Sequence, residues 1–140
     1  MMYDEGLVAP MREELTELGI KETRSAAEVD GYLKAPKGTT LVVVNSVCGC
    51  AAANARPAVT MAMKHPKLPQ NAITVFAGND AEATARARSY FVGYQPSSPQ
   101  IALLKDGEVV FMLERHNISG RSADDIATDI TEAFDQFCGA

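Results

Sequence analysis

Thr40-Leu41-Val42-Val43-Val44-Asn45-Ser46-Val47-Cys48-Gly49-Cys50 carries an unbroken apolar run into two cysteines one residue apart. The β-branched residues are continuous rather than alternating, which predicts a strand over Thr40 to Asn45 that is covered on both faces. A helix is expected from Cys48 to about His65, because Ala52, Ala55, Val59 and Met63 recur on one face, and Pro57 should bend it. The dithiol thus falls where a strand ends and a helix begins. Unpaired N–H groups and the positive dipole end of a helix favour thiolate over thiol at that place.

Working towards the N-terminus, Val8, Met11, Leu15 and Leu18 form a helical stripe over residues 7 to 18, stopped by Gly19. Ile20 to Glu22 reads as a short edge strand. Ser25-Ala26-Ala27-Glu28 has capping-box spacing and starts a helix that should reach about Lys34, ended by Pro36 and Gly38. Towards the C-terminus, Ile73 to Phe76 is the next strand. A helix then begins at Asn79-Asp80 and carries Ala83, Ala87 and Phe91 at i, i+4, i+8. Ile101 to Leu104 and Val109 to Leu113 flank an Asp106-Gly107 turn and should form an antiparallel hairpin. Ser122 caps a last helix lined by Ala123, Ile126, Ala127, Ile130, Phe134 and Phe137.

The order from residue 39 is therefore β-α-β-α-β-β-α, preceded by helical material. A right-handed β-α-β unit gives a parallel pair, and the hairpin adds antiparallel strands. The fold class is α/β, with a mixed central sheet, helices on both faces and an N-terminal helical extension. Sites in such sheets lie at the carboxyl ends of strands, where Cys48 falls.

With 140 residues, 46% hydrophobic and 22% charged, the chain reads as one globular domain over residues 1–140. A net charge of −5 argues against a nucleic-acid partner. The acidic start lacks the apolar core of a secretory signal, and no apolar run approaches the roughly 18 residues of a membrane span. A cytoplasmic protein with no membrane partner is expected, and in that reducing compartment close cysteines are more often catalytic or metal-binding than structural.

Redox exchange is the first reading of Cys48-Gly49-Cys50. Gly49, lacking a Cβ, lets the sulfurs converge in a small ring that suits exchange better than fastening. Cys48, nearer the mouth of the helix, is expected to be the attacking thiolate and Cys50 the resolving thiol. Two readings stand beside this one: cysteines packed as small hydrophobes, and a Cys₃His metal site of Cys48, Cys50 and Cys138 with His65 or His116. Cys138 lies on the apolar stripe of the last helix and is expected to pack in the core. Asn45 and Ser46 either hydrogen-bond near the sulfur or end the strand. Arg56, close in sequence to the dithiol, can act on it by charge. Arg56, Arg115 and His116 read more readily as solvated or structural residues. A cis Ser98-Pro99 bond before the hairpin would set backbone beside the dithiol and offer an edge to a substrate peptide.

The dithiol after the first core strand, Pro57 in the following helix and Ser98-Pro99 before the hairpin resemble the thioredoxin fold. Met11-Arg12-Glu13-Glu14-Leu15, Val44 to Ala51 with Ala55-Arg56-Pro57-Ala58, and Ser97-Ser98-Pro99-Gln100 are similar to the bacilliredoxin family over nearly the whole chain. That resemblance implies removal of bacillithiol, a low-molecular-weight thiol, from mixed disulfides on oxidised cytosolic proteins. It implies no bound cofactor, with bacillithiol as co-substrate. Cys48 would attack the bacillithiol sulfur and Cys50 would resolve the product, supported by Gly49, Asn45, Ser46, Arg56, Ser98 and Pro99. General disulfide isomerase or reductase activity is the alternative, and a non-catalytic redox-sensing or metal-binding module a third. The chain departs from ordinary thioredoxins in having Cys-x-Cys and no Trp before the site. No oligomeric state follows from the sequence.

Overall fold

A computed structural model describes residues 2–34 and 38–139. Helix α1 (Glu5–Thr16) leads through strand β1 (Lys21–Glu22) to α2 (Ala26–Leu33). Strand β2 (Thr39–Asn45) then runs into the dithiol. A π-helical turn (Ala51–Ala55) continues into α3 (Arg56–Ala62), followed by β3 (Asn71–Phe76) and α4 (Ala81–Ser89). Strands β4 (Gln100–Lys105) and β5 (Glu108–Leu113), a short α5 (Arg115–Ile118) and α6 (Ala123–Phe137) complete the order.

The sheet order is β1-β3-β2-β4-β5. Strands β1 and β2 pair parallel with β3, β4 pairs antiparallel with β2, and β5 antiparallel with β4. Every residue of β2 is buried, as its unbroken β-branched run requires. Leu41 and Val43 point into a core shared with α1, α3 and α6, whereas Val42 and Val44 point into one shared with α2 and α4. The sheet is thus covered on both faces.

Local signals act as expected where they are strong. The Ser25 and Ser122 hydroxyls accept from the Glu28 and Asp125 N–H groups, 3.2 and 3.1 Å away. In the hairpin, Asp106 and Gly107 have φ of 51° and 87°, the left-handed pair that an Asp-Gly turn supplies. Phe91 lies past the end of α4 yet is buried with Ala83 and Ala87, so the stripe outlasts the helix. Pro36, read as a helix stop, lies outside the described residues.

The helix after the dithiol differs from the single bent helix expected through His65. It is π-helical first, with the Arg56 N–H reaching the Ala51 carbonyl five residues back, and α3 ends at Ala62. Pro57 has no N–H to give Ala53, so the wider turn absorbs the missing bond ahead of the proline. The Asn54 amide donates to the Arg121 carbonyl and fastens this turn to the loop before α6.

Candidate active site

The end of β2 is tied down before the cysteines begin. The Asn45 amide donates to the Met11 carbonyl of α1 (3.0 Å), and its Oδ1 accepts from the Ser46 N–H (2.9 Å) and from Arg56 Nη1 (2.9 Å). Arg56 Nη1 also donates to the Ser46 carbonyl at 2.8 Å. This guanidinium is only 2% exposed, so its carbon stem fills the core while its head staples the loop. Glu14 Oε2 lies 3.1 Å from Arg56 Nε but off the N–H axis, an attraction of charges without an aligned hydrogen bond.

Beyond the staple, Cys48 accepts the Ala51 and Ala52 N–H groups on its carbonyl, at 3.0 and 3.2 Å. It therefore opens the helical segment. Its N–H donates to the Ser46 hydroxyl at 3.4 Å, and its sulfur lies 2.6 Å from that of Cys50. Both thiols are free and half-buried. Burial alone would raise the Cys48 pKa. Donation from the Cys50 thiol, the Ser46 hydroxyl and the Ala51 and Cys50 N–H groups outweighs burial and holds it below the ordinary thiol value. Cys50 is pushed the other way, by burial and by donating to a neighbour that prefers to be charged, with the positive charge of Arg115 opposing.

Cys48 opens onto a groove of about 260 Å³ lined also by Tyr3, Ser46, Val47, Ala77, Gly78, Ser98 and Arg115. The Ser98-Pro99 bond is cis, and Gln100 beside it pairs with Val44, which sets Ser98 across from the dithiol loop. A small ligand in such a groove would touch Cys48, the Arg115 cation and neutral polar and apolar groups.

A family model described as disulphide isomerase matches residues 3–138. A bacilliredoxin from Koribacter versatilis is 55% identical over 139 residues, spanning 99% of this chain and 96% of the relative. Another from Geobacillus kaustophilus is 52% identical over 138 residues, spanning 98% and 95%. The chain belongs to the bacilliredoxin family. It is a thiol–disulfide oxidoreductase, and its fold is that of thioredoxin. A thioredoxin variant from Halobacterium salinarum, 16% identical, superposes with a TM-score of 0.55 over 86% of this chain and 91% of that one. A second solved chain with a thioredoxin fold gives 0.56 over 79% and 92%.

Within this bacilliredoxin fold the eight candidate residues divide by task. Cys48, Gly49 and Cys50 form the turn, Ser46 reaches the thiol, and Ser98 with the buried Pro99 faces it. Asn45 does not reach the sulfur; its amide is committed to Met11 and Arg56. Arg56 is likewise spent on the loop backbone, so it positions the site and the charge that acts on a cysteine is that of Arg115. The conceivable Cys₃His ligands are not brought together. Cys138 packs with Phe134 and Ile130 under α6, His65 Nε2 lies 2.8 Å from Asp135, and His116 lies beside Glu114.

Three residues were not legible as part of the site. Tyr3 enters the rim because its N–H and carbonyl are both held by the Asn79 side chain, at 2.7 and 2.9 Å. Arg88 donates to the Ser97 carbonyl at 2.7 Å and so supports the turn before β4. Arg115 arrives because the β4–β5 hairpin returns the chain to the dithiol end of the sheet, a signal present in the Asp-Gly turn itself. No helix among the described residues is long and apolar enough to cross a membrane.

The hydrogen bond between the thiols gives a direct expectation. In Cys50→Ala the strongest donor to the Cys48 thiolate is lost, so the midpoint of Cys48 alkylation against pH should move up. In the native protein Cys48 should alkylate faster than Cys50 at neutral pH, read by mass spectrometry of the two labelled sites. Equal rates, or no movement in the variant, would show that the thiols do not polarise one another.

Proposed function

We propose that the chain removes bacillithiol from mixed disulfides on oxidised cytoplasmic proteins. Cys48 is the attacking thiolate and Cys50 the resolving thiol. The observation that carries the reading is the opposed acidity of two thiols one residue apart, with the more acidic one at the head of the helix and facing the groove. The names of the relatives support the choice of bacillithiol as co-substrate. No bound cofactor is needed for this exchange.

In the first step the Cys48 thiolate attacks the bacillithiol sulfur of the mixed disulfide. One S–S bond breaks, the protein sulfur leaves as thiolate and takes a proton from solvent, and Cys48 carries the bacillithiol. The thiolate fraction at neutral pH favours attack, and a leaving protein thiol of lower pKa leaves faster. In the second step the Cys50 thiolate attacks Cys48 Sγ, releasing bacillithiol and closing Cys48–Cys50. Two equivalents of a small thiol return that disulfide to the dithiol and are themselves oxidised.

The test is to incubate the Cys50→Ser protein, which cannot resolve, with a bacillithiolated protein and to weigh the products. One bacillithiol should appear on Cys48 for each protein thiol released. Release without an adduct, or an adduct confined to Cys138, would sink the reading. A second reading, general disulfide isomerase or reductase, is favoured by the description of the matching family model. It predicts refolding of scrambled disulfides at a rate comparable to transfer from bacillithiolated protein.

A further inference from the structure

Among the described residues Arg115 is the one cation lining the groove that contains Cys48, and none of the described lining residues is acidic. The chain carries a net charge of −5, yet the groove that Cys48 lines carries a guanidinium and, among its described residues, no carboxylate to neutralise it. Its nearest carboxylate in sequence does not serve it. Glu114 is turned into its own helix, where its side chain accepts from the Asn117 N–H while the Asn117 side chain accepts from the Glu114 N–H at 2.9 Å. What remains of Glu114 lies 3.6 Å from His116. Among the described residues no carboxylate lies within 4.0 Å of the Arg115 side chain, whereas Arg12, Arg24, Arg56, Arg86 and Arg121 each have at least one. Arg88 also lacks one, but it donates to the Gln100 side chain and the Ser97 carbonyl.

The backbone fixes where this charge sits. Arg115 is the first residue of α5, directly after β5, and its N–H donates to the Ser97 hydroxyl at 3.2 Å, next to the cis turn that faces the dithiol. The side chain is exposed at the rim and its charge reaches Cys50. A guanidinium presents a planar fork that matches a carboxylate.

We propose that Arg115 is a specificity residue that selects small thiols bearing a carboxylate when they are exchanged as disulfides at Cys48. The proposal rests on the reading that Cys48 exchanges with small-thiol disulfides, and it names the chemical class that the groove accepts. The step is Cys48–S⁻ attacking RS–SR to give Cys48–S–SR and RS⁻. Arg115 holds the carboxylate of the retained half and takes no part in the electron transfer.

The experiment measures the second-order rate of Cys48 labelling in the Cys50→Ser background with three disulfides: dithionitrobenzoate, which bears carboxylates; neutral dithiodipyridine; and cationic cystamine. In Arg115→Gln the ratio of the dithionitrobenzoate rate to the dithiodipyridine rate should fall by about three- to fivefold, the worth of an exposed ion pair. The cystamine ratio should rise. Arg115→Lys should restore part of the first ratio, and added salt should lower it in the native background but not in Arg115→Gln. Unchanged ratios would overturn the proposal, as would equal slowing by all three reagents, which would place Arg115 in support of the thiol instead. Because these probes contain no bacillithiol, charge selection can persist when transfer from bacillithiolated protein fails, and the two results are read separately.

Discussion

Replacing Cys48 with serine should reduce the transfer of small thiols from protein mixed disulfides to below about one-thousandth of the native rate, the order of loss seen when a nucleophile is removed. A hydroxyl at that position can take the same hydrogen bonds from Ser46 and the Ala51 N–H, so the loop should persist and the loss be chemical. Cys50→Ser should behave differently, completing the first exchange and halting with the small thiol on Cys48. Cys138→Ser should leave the transfer rate unchanged, since that sulfur is buried in the core beneath α6. Rates followed by release of the protein thiol separate the three. If Cys50→Ser were the inactive variant and Cys48→Ser the trapped one, the assigned roles would be exchanged.

The second large effect is on stability. Arg12 of α1 is 4% exposed and donates to three carboxylates from separate parts of the chain. It reaches Asp80 at 2.7 Å, Glu22 at 2.7 Å and Glu5 at 3.0 Å, with its guanidinium 5.1 Å over the Phe76 ring. Glu5 is half exposed and would rehydrate when released, at little cost. Asp80, with a side chain 8% exposed, would be left as an unpaired buried charge at the head of α4. Arg12→Leu should therefore cost about 3–5 kcal/mol, the range for breaking one side of a buried pair. For a chain of this size that is a fall in Tm of roughly 10 °C or more. Thermal unfolding followed by circular dichroism measures it. A fall of only a degree or two would mean that water reaches Asp80 once the guanidinium is gone. Arg12→Lys should lie between, keeping the charge but losing the fork that serves three partners.

This cluster also marks the limit of what the amino-acid order discloses. Strand β2, the hairpin and α6 could be read directly because their determinants are local: a continuous β-branched run, an Asp-Gly pair, a serine cap before a long apolar stripe. The dithiol at a strand end was legible for the same reason. Arg12 was not, because Glu22 and Asp80 lie 10 and 68 residues away and only the folded sheet gathers them. The π-helical turn escaped notice because it arises from two things together, the missing N–H of Pro57 and the anchoring of Arg56 to Asn45 and Ser46. Helix α5 has four residues, too few to repeat a pattern. Arg56 read more readily as a structural residue than as a charge acting on the thiolate, and its buried bonds to Asn45 and the Ser46 carbonyl make it a staple. Arg115 read as a solvated or structural residue, and topology sets it, still exposed, on the rim of the groove that Cys48 lines.

The groove separates what can be altered from what cannot. The sulfurs follow β2, where every residue is buried and Leu41 to Val44 alternate between the two cores, so a change of volume there would disturb both layers of the protein. The opposite rim is assembled from Tyr3, Gly78, Ser98 and Arg115, which come from four distant stretches and belong to neither apolar cluster. Under the proposed function, retuning this oxidoreductase towards a different small thiol is a task for the rim, where charge and size can be exchanged one position at a time over an unchanged dithiol.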